Sequence, residues 1–113
     1  MVTSPYIPAR GDIVYLTFDP VRGHEQKGRR PALVLSSRRY NELIGLAAVC
    51  PITSKTKGYQ FEIPITVRDR QAVILCDHVR SLAWKERNVN FVDSIDRLVF
   101  EEVVKKIALL IAG

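Results

Sequence analysis

A long helical period appears at one end of this chain, and the rest breaks into short extended runs. That division limits the fold more than any other feature. Leu98, Val99, Val103, Ile107, Leu110 and Ile111 recur at the spacing of one helix face. Glu101, Glu102, Lys105 and Lys106 fall between them, as the i,i+4 pairs Glu101→Lys105 and Glu102→Lys106. Asp93 or Ser94 is placed to cap this helix and Gly113 follows its last turn. Upstream, Asp12 to Phe18, Ala32 to Ser36, Leu46 to Ile52 and Ala72 to Val79 read as strands, rich in β-branched and apolar residues. The most apolar, Ala72 to Val79, is expected at the centre of the sheet. Gln60 to Val67 alternates, with Phe61, Ile63 and Ile65 on one face, Glu62 and Thr66 on the other, and Pro64 pointing to an edge position. Arg38 to Leu43 reads as one helical turn stopped by Gly45, and Arg68 to Gln71 as a turn. Arg80 to Arg87 reads as strand continuation or loop, and Val89 to Val92 as a short strand. The expectation is a mainly β chain with α (α+β). One amphipathic helix packs on an antiparallel sheet, and strands this short favour a small, strongly curved barrel.

The chain has 113 residues with no repeats or linkers, so residues 1–113 read as a single domain. Its 47% hydrophobic content supports one core. The net charge of +5 and a pI near 9.5 favour an anionic partner, nucleic acid first. Cys50 and Cys76 lie inside apolar runs with no metal-ligand spacing and read as buried, reduced thiols. The N-terminus lacks the apolar core of a signal peptide, and no apolar run approaches the roughly 20 residues that span a bilayer. A cytoplasmic protein with no membrane association is expected.

Two polar loops interrupt the strands, one containing GHEQKGRRP (Gly23 to Pro31) and one TSKTKG (Thr53 to Gly58). The order FDPVRGHEQKGRRPALVLS, PITSKTKGYQFEIPI, LCDHVRSLAWKER resembles the MazF/PemK family of bacterial toxins. The match runs from about Arg10 to the end. Gly23, Glu25, Gln26, Gly28, Arg30 and Pro31 carry its G-x-E-Q-x-G-x-R-P motif, and Pro51, Thr53 and Ser54 its P-x-T-S motif. Asp77, Arg80, Ser81 and Trp84 carry a third. The resemblance implies a small SH3-like antiparallel barrel (CcdB/PemK-like) with a C-terminal helix, usually a homodimer. It implies sequence-specific, metal-independent cleavage of single-stranded RNA, with messenger RNA the expected target. It also implies a cognate antitoxin that binds through a flexible acidic tail. The family's catalytic arginine and threonine fall on Arg30 and Thr53, and the glutamate implicated in its site on Glu25.

The residue chemistry agrees with that activity. RNA carries its own nucleophile, the 2′-hydroxyl, so no catalytic serine, metal or cofactor is called for. The enzyme must accept the hydroxyl proton, stabilise the pentacoordinate phosphorane and protonate the leaving 5′-oxygen. The products are a 2′,3′-cyclic phosphate and a 5′-hydroxyl. Arg30 suits the phosphorane, because a guanidinium donates two parallel bonds to phosphate oxygens. It does not suit proton abstraction, since its pKa exceeds about 12. Pro31 is expected to end the loop, so that Arg30 sits beside a rigid strand. Thr53 can donate to a phosphate oxygen or orient the 2′-hydroxyl. Glu25 either orients Arg30 or acts as base, and His24 is the alternative base.

Around this pair, His24, Gln26, Arg29, Ser54, Lys55 and Lys57 are candidate RNA-binding residues, and Phe18 and Tyr59 candidates for stacking on bases, as is His24. Tyr6, Tyr15, Phe61 and Trp84 belong to the core or a dimer interface, with an antitoxin contact the alternative for Trp84. Asp77, Arg80 and Trp84 are candidates for an antitoxin or dimer surface, with Lys85 and Arg87 rimming a groove for an acidic tail. A rival reading is a non-catalytic barrel of the same fold, either a toxin that poisons gyrase or a plain RNA binder. Arg30 and Thr53 argue against it.

Overall fold

The computed structural model describes residues 5–18 and 28–113. Their order is β1 (Asp12–Thr17), β2 (Arg29–Val34), α1 (Arg38–Ile44), β3 (Ala47–Thr53), β4 (Glu62–Val67), β5 (Arg70–Leu75), β6 (Arg80–Leu82), β7 (Asn90–Ser94) and α2 (Arg97–Ala112). The strands form one curled, antiparallel half-barrel in the order β4-β5-β3-β2-β1-β7, with β6 joined beside β3.

The sheet curls about β3, which is shared between two neighbours on one edge. Its first half pairs with β6 through Ala47↔Leu82 and Val49↔Arg80, and its end pairs with β5 through Ile52↔Ile74 and Thr53↔Val73. Its other edge pairs with β2. The expected central strand is therefore corrected: β3 holds the centre. The apolar run Ala72–Val79 leaves the sheet at Leu75 and turns, with the His78 N–H donating to the Leu75 carbonyl at 3.2 Å. Pro64 does lie in an edge strand, β4, where its missing N–H leaves no ladder bond broken inside the sheet.

The two faces of the sheet bury different cores, because successive side chains of a strand point opposite ways. Ile13, Leu33, Cys50, Ile52, Ile63, Ile74 and Cys76 form one core, which α2 covers with Val103 at its centre and Val99, Phe100 and Ile107 around it. Both cysteines are free and buried here, and burial pushes the Cys50 thiol up to about 12 and that of Cys76 to about 11. Val14, Leu16, Phe18, Ala32, Val34, Val49, Leu82 and Trp84 form the second core, closed by Tyr6, Ile7 and Val89.

Local signals explain most boundaries. Ser37 caps α1 by accepting from the Tyr40 N–H, and Gly45 ends it with φ at +82°, a left-handed conformation that costs other residues about 1–2 kcal/mol. The cap of α2 is Asp96, which accepts from the N–H groups of Leu98 and Val99, and not Asp93 or Ser94, which still belong to β7. The expected apolar face of α2 is narrower than its sequence implied. Leu98 (66% exposed), Leu110 (48%) and Ile111 (78%) lie outside the core. The ion pair formed on the helix is Arg97–Glu101 at 3.8 Å.

Candidate active site

β2 begins at Arg29, three residues before the expected Ala32, and this sets the geometry of the site. Arg30 and Pro31 are strand residues, not the end of a loop, and pair across β1 with Leu16 and Tyr15. Gly28 precedes them with φ at +85°, so glycine there lets the backbone swing into the strand. The Phe18 N–H donates to the Gly28 carbonyl at 2.9 Å, which ties together the two residues flanking positions 19–27. Glu25, His24 and Gln26 fall in that segment, outside the described residues.

The hydrogen-bonded register between β2 and β3 runs Val34↔Val49, Leu33↔Cys50, Ala32↔Pro51. The paired register ends at Ala32↔Pro51, two residues short of Arg30 and Thr53. With a side-chain period of two, Arg30 and Thr53 share the face of Ala32 and Val34, beyond the edge of the second core. Arg30 is exposed and Thr53 half-buried. No acceptor among the described residues engages the Arg30 guanidinium. The Thr53 hydroxyl oxygen accepts from the Lys55 N–H at 3.1 Å, which fixes its orientation and leaves its hydrogen to donate elsewhere. The arrangement presents a fork of cationic donors and an oriented hydroxyl on one open patch of rigid sheet, a combination suited to a phosphate.

The loop after Thr53 is organised by Glu62. Its carboxylate accepts from the Thr56 hydroxyl at 2.7 Å and the N–H groups of Lys57 and Gly58 at 2.8 and 2.9 Å. The Thr56 bond, then the Lys57 amide, hold the Glu62 carboxyl below the usual carboxylate range. Sequence reading saw Glu62 only as the polar side of an alternating strand. Ser54, Lys55 and Lys57 are exposed along this loop.

Three expected RNA-contacting residues are otherwise engaged. Arg29 lies on the opposite face from Arg30 and donates to the Asn88 carbonyl at 2.9 Å, the Thr17 hydroxyl at 3.3 Å and the carbonyls of Tyr15 and Arg87 at 3.4 and 3.5 Å. Arg87 returns the contact, donating to the carbonyls of Thr17 and Phe18 at 2.9 and 2.5 Å. Arg29 is thus a structural clasp, as is Arg87, which sequence reading set on the rim of an antitoxin groove. Phe18, expected to stack on a base, is 4% exposed, with the Arg80 guanidinium 5.3 Å above its ring. Tyr59 is half-buried and its hydroxyl donates to Asp77 at 2.7 Å. That bond, followed by desolvation, pushes its pKa up to about 12.

The third motif divides likewise. Trp84, expected in the core or at a dimer or antitoxin surface, is a core residue whose indole N–H donates to the Asn41 carbonyl at 3.0 Å. Arg80 pairs with Val49 and so lies on the face of Arg30. Asp77 is occupied by Tyr59 and lies 3.7 Å from His78. A cavity of about 920 Å³ runs from Ser54 past β4 and β5 to the start of α2, and neither Arg30 nor Thr53 lines it. Its charged walls are Glu62, Asp93 and Asp96, all carboxylates, which disfavour a polyanion.

Residues 9–111 match the family model described as PemK-like, MazF-like toxin of type II toxin-antitoxin system. The chain belongs to this family. The matched span takes in every element from β1 to the last turn of α2, and so both halves of the candidate site. Among family relatives, the endoribonuclease toxin MazF of Escherichia coli K12 is 37% identical over 97% of this chain and 99% of its own length. The crystal structure of MazF from Deinococcus radiodurans superposes with a TM-score of 0.85 at 43% identity, covering 96% of this chain and 100% of that one. A MazE–MazF structure from the same organism superposes at 0.83 with 38% identity, over 96% of this chain and 98% of that one.

Proposed function

We propose that this family member is the toxin of a toxin–antitoxin pair and a sequence-specific, metal-independent endoribonuclease acting on single-stranded RNA. The observation that carries the reading is the shared, open sheet face of Arg30 and Thr53, set by the β2–β3 register. In the reaction, the 2′-hydroxyl oxygen attacks the adjacent phosphorus as the bond to the 5′-oxygen breaks. Arg30 donates paired hydrogen bonds to the non-bridging oxygens, whose charge grows in the phosphorane. Thr53 donates its free hydrogen to the same group. The 2′-hydroxyl proton goes to an acceptor from the Gly23–Lys27 sequence, Glu25 or His24, and the 5′-oxygen leaves with a proton taken from solvent water. The products are a 2′,3′-cyclic phosphate and a 5′-hydroxyl.

Lys55, Lys57 and Arg80 extend the cationic surface along the RNA backbone, and Ser54 adds a hydroxyl donor. A cognate antitoxin with an acidic tail suits the same surface, given the +5 charge and the D. radiodurans MazE–MazF complex. The exposed apolar residues Leu109, Leu110 and Ile111 on α2 fit a homodimer. Among the described residues no helix is long and apolar enough to cross a membrane, which accords with a cytoplasmic site of action.

The test is incubation of the purified protein with diverse single-stranded RNAs in EDTA, alongside Arg30→Ala. Cleavage to 2′,3′-cyclic phosphate ends that persists in EDTA and collapses in Arg30→Ala is expected. Cleavage abolished by EDTA, or undiminished in the variant, overturns the mechanism. Failure to cut any RNA favours the non-catalytic barrel.

A further inference from the structure

The candidate site is carried by two parts of the sheet, whose strands are joined through β3. Arg30 lies in β2, which pairs with β1 and with the body of β3, and Arg80 in β6, which pairs with the start of β3. The Thr53 end of β3 has a different neighbour. It pairs with β5 through Ile52↔Ile74 and Thr53↔Val73, and β5 pairs along its whole length with β4. The loop after Thr53 is fastened to the same hairpin. Glu62, which holds the Thr56 hydroxyl and the Lys57 and Gly58 amides, is the first residue of β4. The β4–β5 hairpin thus places Thr53 and its loop, and the rest of the sheet places Arg30. The angle between these two parts sets the spacing of hydroxyl and guanidinium.

Apolar packing holds the hairpin beside Thr53 and thins toward its tip. Ile63, Val73 and Ile74 are buried, Ile65, Val67 and Ala72 half-buried, and Arg68 to Gln71 exposed. The hairpin stands across an open cleft from the far end of the sheet. That cleft is the cavity of about 920 Å³, with Pro64, Ile65 and Ala72 on one wall and Asp93, Ile95 and Val99 on the other. Among the described residues one hydrogen bond spans the gap. Arg68, at the hairpin tip, donates from Nη2 to the Val92 carbonyl of β7 at 2.9 Å. β4 and β7 are the two end strands of the sheet, so this side chain bridges what the backbone leaves open.

The turn that presents Arg68 is strained for the residues it holds. Val67 pairs with Arg70, so Arg68 and Asp69 form a two-residue turn, with φ at +49° and +66°. A left-handed pair suits the twist of a hairpin and is ordinarily filled by Asn-Gly. Arginine at the first position brings the turn no advantage. What it adds is reach, since neither asparagine nor glycine extends from there to Val92. Backbone strain of this kind persists where the surrounding structure holds it in place.

We propose that Arg68 is a positioning residue for the cleavage reaction: its bond to Val92 fixes the angle of the β4–β5 hairpin and, through Val73, the place of the Thr53 hydroxyl relative to Arg30. This rests on the ribonuclease reading and adds to it a residue that acts through Thr53 without touching RNA. A tilt of the hairpin turns Val73, and with it the strand end that carries Thr53. A misplacement of about 1 Å costs on the order of 10²-fold in rate, so a smaller tilt is expected to cost roughly tenfold.

The experiment compares Arg68→Gly with Asp69→Gly. Both relieve one left-handed residue, and only the first removes the bond to Val92. Single-turnover cleavage is measured over a range of RNA concentrations, together with the urea midpoint and the hydrogen exchange of the hairpin amides from Glu62 to Leu75. For Arg68→Gly the rate at saturating RNA is expected to fall roughly tenfold, with the half-saturating concentration within about twofold of wild type. Its urea midpoint is expected to stay close to that of wild type, because relief of the turn offsets the lost bond, while the hairpin amides exchange faster. Asp69→Gly is expected to keep the wild-type rate and exchange. An unchanged saturating rate or unchanged exchange in Arg68→Gly overturns the inference and leaves the ribonuclease reading standing. An equal loss of rate in Asp69→Gly assigns the effect to the turn backbone and also overturns it. So does a raised half-saturating concentration or a new choice of cut site, either of which makes Arg68 an RNA contact. A lowered urea midpoint with the full rate restored on cooling shows a merely structural bond, and overturns it too. Wild-type protein that cuts no RNA sinks both readings.

Discussion

Arg29 and Arg30 are adjacent in the chain and leave β2 on opposite faces, one into a clasp and the other into the open site. Arg29 binds the end of β1 to the turn before β7 through the carbonyls of Tyr15, Arg87 and Asn88 and the Thr17 hydroxyl. Arg30 has no acceptor among the described residues. The two alanine variants therefore separate stability from catalysis. Arg30→Ala is expected to lower the single-turnover cleavage rate by roughly 10²–10³-fold, the scale for removing one oxyanion donor, with an unchanged urea midpoint. Arg29→Ala is expected to lose about 1–2 kcal/mol of stability and to retain most of its rate at low temperature. A stable Arg29→Ala with no activity would contradict this division.

Thr53 separates its two hydrogen-bonding roles through conservative substitution. Thr53→Ser keeps the oxygen that accepts the Lys55 N–H and the hydrogen that donates. Thr53→Val keeps the shape and the β-propensity and removes both. Near-normal cutting is expected from the serine variant, and a rate reduced by about 10²-fold from the valine variant, with similar RNA affinity in both. Equal activity in the two would show that the hydroxyl contributes nothing to the reaction.

How far the sequence revealed this arrangement depended on whether a signal was local. Gly45 as a helix stop, Pro64 on an edge and the apolar period of α2 are short-range patterns, and each marks its element. Boundaries that depend on pairing were less visible. Nothing in the RRP sequence says that β2 starts at Arg29, because a proline after two arginines reads as a loop end until β1 is there to pair with it. Arg29 looked like one more loop cation, since strand alternation applies only once the strand is known. Phe18 looked available because an aromatic beside a polar loop is compatible with both a surface and a core. Glu62 and Asp77 find their partners at separations of 4 to 6 and 18 residues, and no composition or spacing rule predicts those bonds.

The Glu62 bonds make the loop beside the site pH-dependent. A carboxyl whose pKa is lowered in the folded protein contributes stability that is fully present above its unfolded value, near 4.3. It is lost as pH falls through the lower, folded value. Protonation removes the charge that holds the Thr56 hydroxyl and the Lys57 and Gly58 amides. Amide NMR signals of Lys57 and Gly58 are expected to titrate together, with a midpoint below the ordinary glutamate range, and Glu62→Gln to abolish that titration. A midpoint at or above the ordinary value would mean that the carboxylate does not carry the loop. Cleavage by Glu62→Gln is expected to fall modestly at neutral pH, through looser placement of Lys55 and Lys57.

The same two lysines set a prediction for salt. Each cation that neutralises a phosphate of single-stranded RNA releases counterions and adds about 0.7 to the slope of log affinity against log salt. Lys55 and Lys57 are exposed on the loop that follows Thr53. The double substitution to alanine is expected to reduce the magnitude of that slope by about 1.4, with weaker binding across all RNA sequences and an unchanged choice of cut site. Arg29→Ala is the control, because its guanidinium is committed to four protein acceptors on the other face and its loss leaves the slope unaltered. Fluorescence anisotropy of a labelled, 2′-deoxy-substituted RNA over a salt series measures both without cleavage. A slope unmoved by the double substitution would place the RNA backbone away from this loop, and with it away from Thr53.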